Sequence, residues 1–294
     1  MLLALRVDVD TLVGLQEGVP RLLELFRRHR IRATFFVSFG PDHSGRAIRR
    51  LWRPTFLLKM LRTNPFRLYG LRTLLSGTLL PAVPMGKCAP GLLRSITAEG
   101  HELGLHGFSH VRWQDRVARM TKPEVEAELS QAWQGYETAL GVKPRSSAAP
   151  GWRCTPLTLE VQEGLELLYA SDVRGRSLFL PAHNARAFRT LQLPTTLPTL
   201  DELLGRCWRI NDRLLSLLKD GFNLHTVHAE VEGAAYLPLF EAFLEEIQRR
   251  GIATTRLCDI AESVSKEGFE GIPRMPVIRK KIPGRSGWVS CQGE

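Results

Sequence analysis

Short apolar runs rich in β-branched and aromatic residues alternate with segments of helical periodicity along most of this chain. Such alternation is typical of parallel strands wrapped by helices, so the 294 residues are predicted to form an α/β protein, as a barrel or an open sheet. Each run is short enough for a buried strand. The eight strand candidates are Leu3–Val9, Ala33–Ser38, Glu102–His106, Ser146–Ala149, Leu167–Ser171, Leu191–Leu193, Leu224–Ala229 and Ile252–Thr255.

The helix candidates are Gly18–His29, Thr121–Leu140 and Tyr236–Arg250. The second begins with a capping-box signature, in which Thr121 precedes Glu124 by three residues. Beyond Gly268 the chain is marked by Pro and Gly, which indicates an extended segment. We therefore expect a barrel over residues 1–268 and a C-terminal extension, residues 269–294, packed on it.

Residues 43–98 break this alternation and hold the whole net charge. The segment contains ten Lys or Arg and no acid, whereas the full chain has 40 basic and 30 acidic residues and a formal charge of +10. Apolar residues such as Trp52 and Phe56 are interleaved with the basic ones, a composition suited to an anionic bilayer surface. A solvated basic face and an RNA-binding patch are the alternatives. The run Phe56-Leu57-Leu58 favours lipid over nucleic acid, because stacking platforms need exposed aromatic rings.

Targeting and redox signals indicate a cytoplasmic protein. The five cysteines form no C-x-x-C pair and no regular spacing, which fits a reducing compartment. Arg6 and Asp8 interrupt the apolar start of the chain, so no signal peptide is expected. No stretch reaches the roughly 18 apolar residues of a spanning helix. We expect a peripheral protein without a transmembrane helix.

Two acids end the first strand candidate. Asp8 and Asp10 are two residues apart, so the alternation of a strand directs both carboxylates to one side. The carboxyl ends of barrel strands are where active sites are built. An Asp at a strand end also caps helices or is solvated, so this pair alone does not identify a site.

Two histidines follow the third strand candidate. His106 and His110 are four residues apart, which allows both imidazoles to bind one metal ion. Alone the pattern is weak, since such pairs are also common in cores and on surfaces. Together with an Asp from the first strand, it supplies two imidazoles and one carboxylate and leaves open coordination positions.

A further histidine ends the strand candidate Leu224–Ala229. Alternation places Leu224, Thr226, His228 and Glu230 on one face and His225 on the other. A His at this position is able to protonate a leaving group near neutral pH. The alternative is a hydrogen-bonded core residue. Glu230 is our candidate for a substrate contact, to a sugar hydroxyl or to a product amine, unless it pairs structurally with an Arg.

These residues occur in the order of a known set of motifs. The set resembles the five motifs of the polysaccharide deacetylase (NodB-homology) superfamily: Asp8-Val9-Asp10, His106-x-x-x-His110, Ala149-Pro150-Gly151-Trp152-Arg153, Ser171-Asp172 and His228. Further segments resemble the formamido-sugar deformylase branch of that superfamily: Glu17-Gly18-Val19-Pro20, Leu197-Pro198-Thr199, His228-Ala229-Glu230-Val231-Glu232-Gly233 and Gly287-Trp288. The resemblance extends from Val7 to Cys291.

The resemblance implies a distorted (β/α)7-type barrel with the basic segment 43–98 as a membrane-facing insertion. It implies one divalent metal ion, which zinc, manganese, cobalt or nickel would each satisfy. Metal ligands would be Asp10, His106 and His110, the general base Asp8, and the general acid His228. Arg153 and Asp172 would orient Asp8, and Trp152 would contact substrate. Two departures weaken the role of Arg153: Val9 separates acids that are usually adjacent, and Arg153 follows Pro150, where the superfamily has an Arg before the Pro.

The implied reaction is hydrolysis of the formamide of undecaprenyl-phosphate-linked 4-deoxy-4-formamido-L-arabinose at the cytoplasmic face of the bacterial inner membrane. The products would be formate and the 4-amino-arabinose lipid used in lipid A modification and polymyxin resistance. One rival is a metal-dependent deacetylase acting on another N-acylated sugar. A rival of another class is a non-catalytic membrane-surface adaptor. The sequence does not indicate an oligomeric state.

Overall fold

The computed structural model describes residues 1–46, 73–184 and 186–294. The strands are β1 (Leu2–Val9), β2 (Thr34–Val37), β3 (Glu102–Leu105), β4 (Ser146–Ser147), β5 (Tyr169–Ala170), β6 (Leu180–His183), β7 (Arg186–Ala187), β8 (Leu191–Gln192), β9 (Phe222–His228), β10 (Ala253–Thr255), β11 (Arg274–Lys280) and β12 (Val289–Gln292). The helices are α1 (Val19–His29), α2 (Met85–Cys88), α3 (Pro90–Ala98), α4 (His110–Arg116), α5 (Lys122–Leu140), α6 (Pro156–Glu163), α7 (Leu200–Leu203), α8 (Ile210–Ser216), α9 (Leu237–Arg249) and α10 (Leu257–Glu267).

A parallel sheet of eight strands forms the centre of the molecule. Its order is β10-β1-β2-β3-β4-β5-β8, and β9 also pairs with β1. The longest register joins Leu2–Asp8 to Phe222–His228. The backbone N–H groups of Thr196 and Leu197 both donate to the carbonyl of Leu224 at 3.1 Å, so the chain after β8 lies against β9. All eight predicted strands lie in this sheet, and the prediction of a distorted (β/α)7-type barrel is confirmed.

Side-chain alternation along β1 separates two layers. Leu5, Val7 and Val9 pack in the large core between the sheet and its helices. Ala4 belongs to a second core cluster, inside the barrel, and Arg6 lies on the same face of the strand. On β2 the same alternation sends Phe35 outward and Phe36 inward. The inner face thus becomes polar toward the carboxyl end of β1.

The helices cover the outer face of the sheet as their periodicity predicts. The structure contains the three predicted helices with boundaries within one residue, as α1, α5 and α9. The predicted capping box at the start of α5 is present, with the backbone N–H of Thr121 donating to Glu124 Oε2 at 3.0 Å. Within the described residues, no helix combines the length and the apolar character that a membrane span requires.

The predicted insertion, residues 43–98, divides into parts. Residues 47–72 lie outside the described residues. Helix α3 forms the C-terminal end of the insertion and packs on the barrel, because its Leu93 and Ile96 are fully buried in the large core. By contrast, Leu79 is 81% exposed. The apolar surface offered by the described part of the insertion therefore lies before α2.

A smaller sheet contains the C-terminal residues, in the order β12-β11-β6-β7. Strand β12 is buried throughout. Ser290 connects it to the barrel, because its hydroxyl bridges the backbone N–H and carbonyl of Cys154, both at 3.0 Å. The carbonyl of Ser290 also accepts from the backbone N–H of Arg174 at 2.9 Å. The C-terminal chain thereby contacts the loop that follows β4 and the one that follows β5.

Replacement of Phe26 tests the core. This side chain on α1 is fully buried and meets Phe35 and Phe240 edge-to-face, each with ring centroids 6.1 Å apart. Phe26→Ala is expected to lower the free energy of unfolding by about 3–5 kcal/mol, since it opens a cavity. Phe269→Ala is the matched control, because Phe269 is 41% exposed, and its effect should stay within about 0.5 kcal/mol. Urea titration measures both; equal losses would contradict this account of the core.

Candidate active site

Three predicted ligand residues meet at the carboxyl ends of neighbouring strands. Asp10 follows β1, His106 follows β3, and His110 begins α4. Asp10 Oδ1 lies 3.2 Å from His106 Nε2, and Asp10 Oδ2 lies 3.1 Å from His110 Nε2. Among the described residues, this is the group of three whose ligand atoms can hold a metal ion.

A hydrogen bond at Nδ1 of His106 fixes the tautomer of the neutral ring. Nδ1 lies 2.9 Å from the carbonyl of Ala148, which only accepts, so Nδ1 carries the proton. The lone pair of Nε2 then faces Asp10. Both His106 Nε2 and Asp10 Oδ1 are buried without a hydrogen-bond partner among the described residues, although they are only 3.2 Å apart. When the ring is neutral, two lone pairs face each other at this distance, and either a proton on Nε2 or a bound cation relieves the contact; the residues present therefore fit a divalent ion.

Charge around Asp10 keeps its carboxylate ionised. Burial acts to raise its pKa, but the imidazoles of His110 and His106 outweigh burial and hold the pKa well below its usual value. For His106, burial acts to lower the pKa, but the carboxylates of Asp8 and Asp10 together raise it by more. The pKa of His106 is therefore shifted upward. The group is therefore complementary in charge and supplies a deprotonated oxygen ligand.

Asp8 is held by an arginine that the sequence analysis did not select. Arg6 Nε and Nη2 donate to the two oxygens of Asp8 at 2.6 and 2.7 Å. The guanidinium is fully buried, and its Nη1 also donates to the carbonyl and hydroxyl of Ser171. Asp8 Oδ2 remains 3.6 Å from His106 Nε2, so this fixed carboxylate borders the candidate metal site.

The prediction that Arg153 orients Asp8 needs correction. The Arg153 side chain donates to the carbonyls of Trp288 and Gln114, and its guanidinium stacks on the Trp288 ring at 5.1 Å. Arg6 occupies the position beside Asp8 instead. Because Arg153 follows the Pro150–Trp152 turn, it leaves that turn toward the C-terminal extension.

Trp152 lies beneath His228 rather than at an open surface. The indole is 1% exposed and meets the His228 ring edge-to-face with centroids 6.3 Å apart. Its Nε1 donates to Thr195 Oγ1 at 3.0 Å. Guanidinium groups cover the faces of the ring, so Trp152 is not open to the predicted substrate contact. It instead packs against His228 and supports that ring.

Asp172 is buried beside the site but forms its own pair. Its Oδ2 accepts from Gln192 Nε2, and its backbone N–H donates to Gln192 Oε1, both at 3.0 Å. Burial raises the pKa of this carboxyl. No described contact joins it to Asp8 or Arg153, although the guanidinium of Arg6, which holds Asp8, acts to lower its pKa; its role in orienting Asp8 stays a prediction.

Glu230 reaches the site as alternation predicts. Its carboxyl is buried, and Oε2 has no hydrogen-bond partner among the described residues. Burial and the charge of Asp10 raise its pKa well above the usual value. A side chain at position 14 would collide with Glu230 Oε2, so Gly14 makes the space for this carboxyl. Its predicted role as a substrate contact stays a prediction.

Glu232 is a second buried carboxyl that the sequence analysis missed. It accepts the backbone N–H of His228 through Oε2 at 2.8 Å and thereby holds the end of β9. Burial raises its pKa to about 8. Glu232 belongs to the motif segment His228–Gly233, but the sequence predicts no role for it, because it lies beyond the end of the strand, where alternation no longer predicts direction.

A parallel β/α barrel with an Asp-His-His group at the carboxyl ends of its strands is suited to a hydrolase that acts on an amide. Comparison with known proteins supports this class. The family model described as polysaccharide deacetylase matches residues 3–170. The chain belongs to the polysaccharide deacetylase family.

Two curated relatives are similar along nearly the whole chain. Both are named probable 4-deoxy-4-formamido-L-arabinose-phosphoundecaprenol deformylase ArnD. The protein from Shewanella sediminis is 40% identical over 98% of this chain and 93% of its own length. The protein from Wigglesworthia glossinidia brevipalpis is 35% identical over 95% of this chain and 98% of its own length.

Solved structures of lower identity share the fold. A protein from Mycobacterium smegmatis assigned to the polysaccharide deacetylases is 18% identical, with a TM-score of 0.62 and coverage of 96% of this chain and 94% of its own. A probable polysaccharide deacetylase from Pseudomonas aeruginosa is 16% identical, with a TM-score of 0.58 and coverage of 90% and 91%. These similarities support the barrel architecture.

The raised pKa of Glu232 predicts a pH dependence of stability. Between the unfolded pKa of 4.5 and the folded pKa of about 8, the folded protein binds the Glu232 proton more tightly than the unfolded chain. The free energy of unfolding should therefore fall as pH rises through this window. Glu232→Gln keeps an acceptor for the His228 N–H but cannot titrate, so its profile should be flatter. Urea titrations of both metal-free proteins from pH 5 to 9 decide; parallel profiles would contradict the assignment.

Proposed function

We propose that the protein hydrolyses the formamide of undecaprenyl-phosphate-linked 4-deoxy-4-formamido-L-arabinose. One observation carries the proposal: Asp10, His106 and His110 meet beside Asp8 and His228 in a chain that is similar, over nearly its whole length, to two named deformylases of that substrate. Formate and the 4-amino-arabinose lipid would be the products. The cationic sugar lipid would then serve lipid A modification, with polymyxin resistance as its consequence.

Asp10, His106 and His110 would hold one divalent ion. The set of one carboxylate and two imidazoles accepts zinc, manganese, cobalt or nickel. When bound, the ion supplies Lewis acidity toward the amide carbonyl and a water molecule. The Ala148 carbonyl fixes the proton of His106 on Nδ1, which leaves Nε2 available as a ligand atom.

Asp8 would act as the general base. Both its oxygens accept from Arg6, so the orientation of the carboxylate is set before substrate binds. Its Oδ2 lies next to the ligand set, 3.6 Å from His106 Nε2. A proton removed from the attacking water in this position would pass to Asp8.

His228 would be the general acid for the leaving nitrogen. It ends β9 directly opposite Asp8 in the register with β1, so the base and the acid come from adjacent strands. Trp152 supports the ring from below, and Glu232 accepts the backbone N–H of His228. Amide cleavage needs a proton on nitrogen as the C–N bond breaks, and a positioned imidazole supplies it.

The proposed location is the cytoplasmic face of the inner membrane, with residues 43–98 on the anionic surface. Two features support it: the ten unopposed basic residues of that segment, and the exposure of Leu79, Leu80 and Val83 in its described part. A bilayer-bound enzyme would meet a lipid-linked sugar without extracting it. The substrate and the lipid surface are the proposed partners, and no nucleic acid is among them.

Formate release tests the reaction. The protein, supplied with divalent metal, should release formate from a prenyl-phosphate-linked formamido-arabinose and little acetate from an N-acetylated oligosaccharide. Acetate release alone would instead favour a deacetylase of another N-acylated sugar. Release of neither would leave the adaptor alternative.

Matched variants separate metal ligands from proton-transfer groups. His106→Ala should lose both bound metal and turnover, because it removes one of three ligands. His228→Ala and Asp8→Asn should keep the metal while the rate falls roughly 10²–10⁴-fold, the usual contribution of a positioned acid or base. Elemental analysis after dialysis, combined with the formate assay, distinguishes the two patterns. Full metal and turnover in His106→Ala would refute the ligand assignment.

Membrane binding is tested by liposome flotation with anionic and neutral lipids. Arg49, Arg50 and Arg53 changed together to Glu should reduce flotation on anionic lipid, since each basic residue near the surface contributes on the order of 1 kcal/mol. Leu79→Glu should also reduce it. Val142→Glu is the matched control, because Val142 is 59% exposed on the loop after α5, outside the insertion. Equal flotation of all variants and the wild type would show that the segment is an ordinary solvated face.

A further inference from the structure

Three arginines surround the buried ring of Trp152. The guanidinium carbons of Arg6, Arg174 and Arg285 lie 5.2, 5.1 and 4.5 Å from the ring. They come from three parts of the chain: β1, the segment after β5, and the link between β11 and β12. Each position satisfies a cation–π contact, but together they place three positive charges around one indole.

Within the described residues, two carboxylates form ion pairs with these three arginines. Asp8 takes Arg6 in a bidentate pair. Glu202 serves both other arginines: its Oε1 lies 2.7 Å from Arg174 Nη1 and 3.5 Å from Arg285 Nη1. The second distance exceeds that of a normal N–H···O hydrogen bond. One carboxylate is therefore shared by two cations, and Arg285 is the weaker partner.

Arg285 and the proposed acid are linked through Trp152. His228 and Arg285 contact the same indole, with distances to Trp152 of 6.3 Å between ring centroids and 4.5 Å from the guanidinium carbon. The Arg285 side chain keeps 11% of its surface exposed, whereas the faces of Trp152 are covered. One indole ring therefore lies between the proposed acid and Arg285, and this is the separation that a ligand held at His228 would have to span to reach Arg285.

We infer that Arg285, supported by Arg174 and Trp152, binds the phosphodiester of the lipid-linked sugar. The inference rests on the proposed function, which places the 4-formamide at the metal ligands and His228. The phosphodiester on carbon 1 then lies one pyranose ring away from the reacting nitrogen. The planar guanidinium fork matches two phosphate oxygens, and a phosphate completes the hydrogen bonding that Glu202 leaves unfilled. The C-terminal extension would therefore contribute directly to substrate recognition.

Binding of unreactive ligands tests the site. Isothermal titration uses the metal-loaded full chain and two probes: geranyl L-arabinopyranosyl phosphate, which lacks the formamide, and neutral methyl L-arabinopyranoside. Arg285→Gln should weaken binding of the phosphodiester roughly 10- to 100-fold, the contribution of a charged hydrogen-bonding partner. The neutral glycoside should bind equally well to wild type and variant.

Two further variants keep the test decisive. Arg274→Gln removes an exposed arginine of β11 in the same extension and should bind both probes as the wild type does. Arg285→Lys keeps the charge and the aliphatic stem; should the Gln variant not fold, weaker binding of the phosphodiester alone by Arg285→Lys supports the site. Unchanged phosphodiester binding, or equal losses for both probes, overturns it.

The outcome is separable from the deformylase proposal. Phosphodiester binding that depends on Arg285, without formate release by the wild type, would leave the anion site standing and refute the reaction. Formate release by Arg285→Gln with an unchanged KM for the lipid-linked substrate would refute the anion site alone.

Discussion

The buried pair of Arg6 and Asp8 is the interaction on which the arrangement of the site depends. Both side chains are removed from water, and neither charge is tolerable there without the other. Their bidentate geometry also fixes the direction of the Asp8 carboxylate. Because Arg6 Nη1 is bonded to Ser171, the same guanidinium ties β1 to the end of β5 across the interior of the barrel.

From this pair, polar groups continue toward the carboxyl end of the sheet. Asp8 borders His106, and His106 faces Asp10, which in turn reaches His110. Burial makes each unpaired lone pair costly, so the unpartnered atoms of Asp10 and His106 mark the place where a cation lowers the free energy. The same burial raises the pKa of Glu230 and of Glu232, which favours their neutral forms and so limits the negative charge around the ligand set.

Several features could be predicted from sequence because they depend on local periodicity. All eight strands of the central sheet were predicted, since short β-branched runs between helical segments rarely form anything other than buried strands. Alternation also placed His228 and His225 on opposite faces of β9, and His225 does pack outward against Phe243 on α9. Arg6, Asp8 and Asp10 are spaced by two residues, so the same rule places all three on one face of β1, although the sequence analysis did not select Arg6. The strands β6, β7, β11 and β12 had no comparable signal: β6 and β7 form a short hairpin, and β11 reaches β6 from a distant part of the chain.

The sequence by itself determined the order of strands and helices, the face of each strand that points inward, and the residue types available for a metal ion. Only the tertiary structure decided which partner each charged group takes. Arg153 stands near the expected motif position yet turns toward Trp288, while Arg6 pairs with Asp8. Trp152 became a buried support because arginines from three segments enclose it. Such contacts form only when side chains that are far apart in sequence meet in the protein interior. The dielectric constant is low there, so an unpaired buried charge is strongly destabilising and each charged group must find a partner.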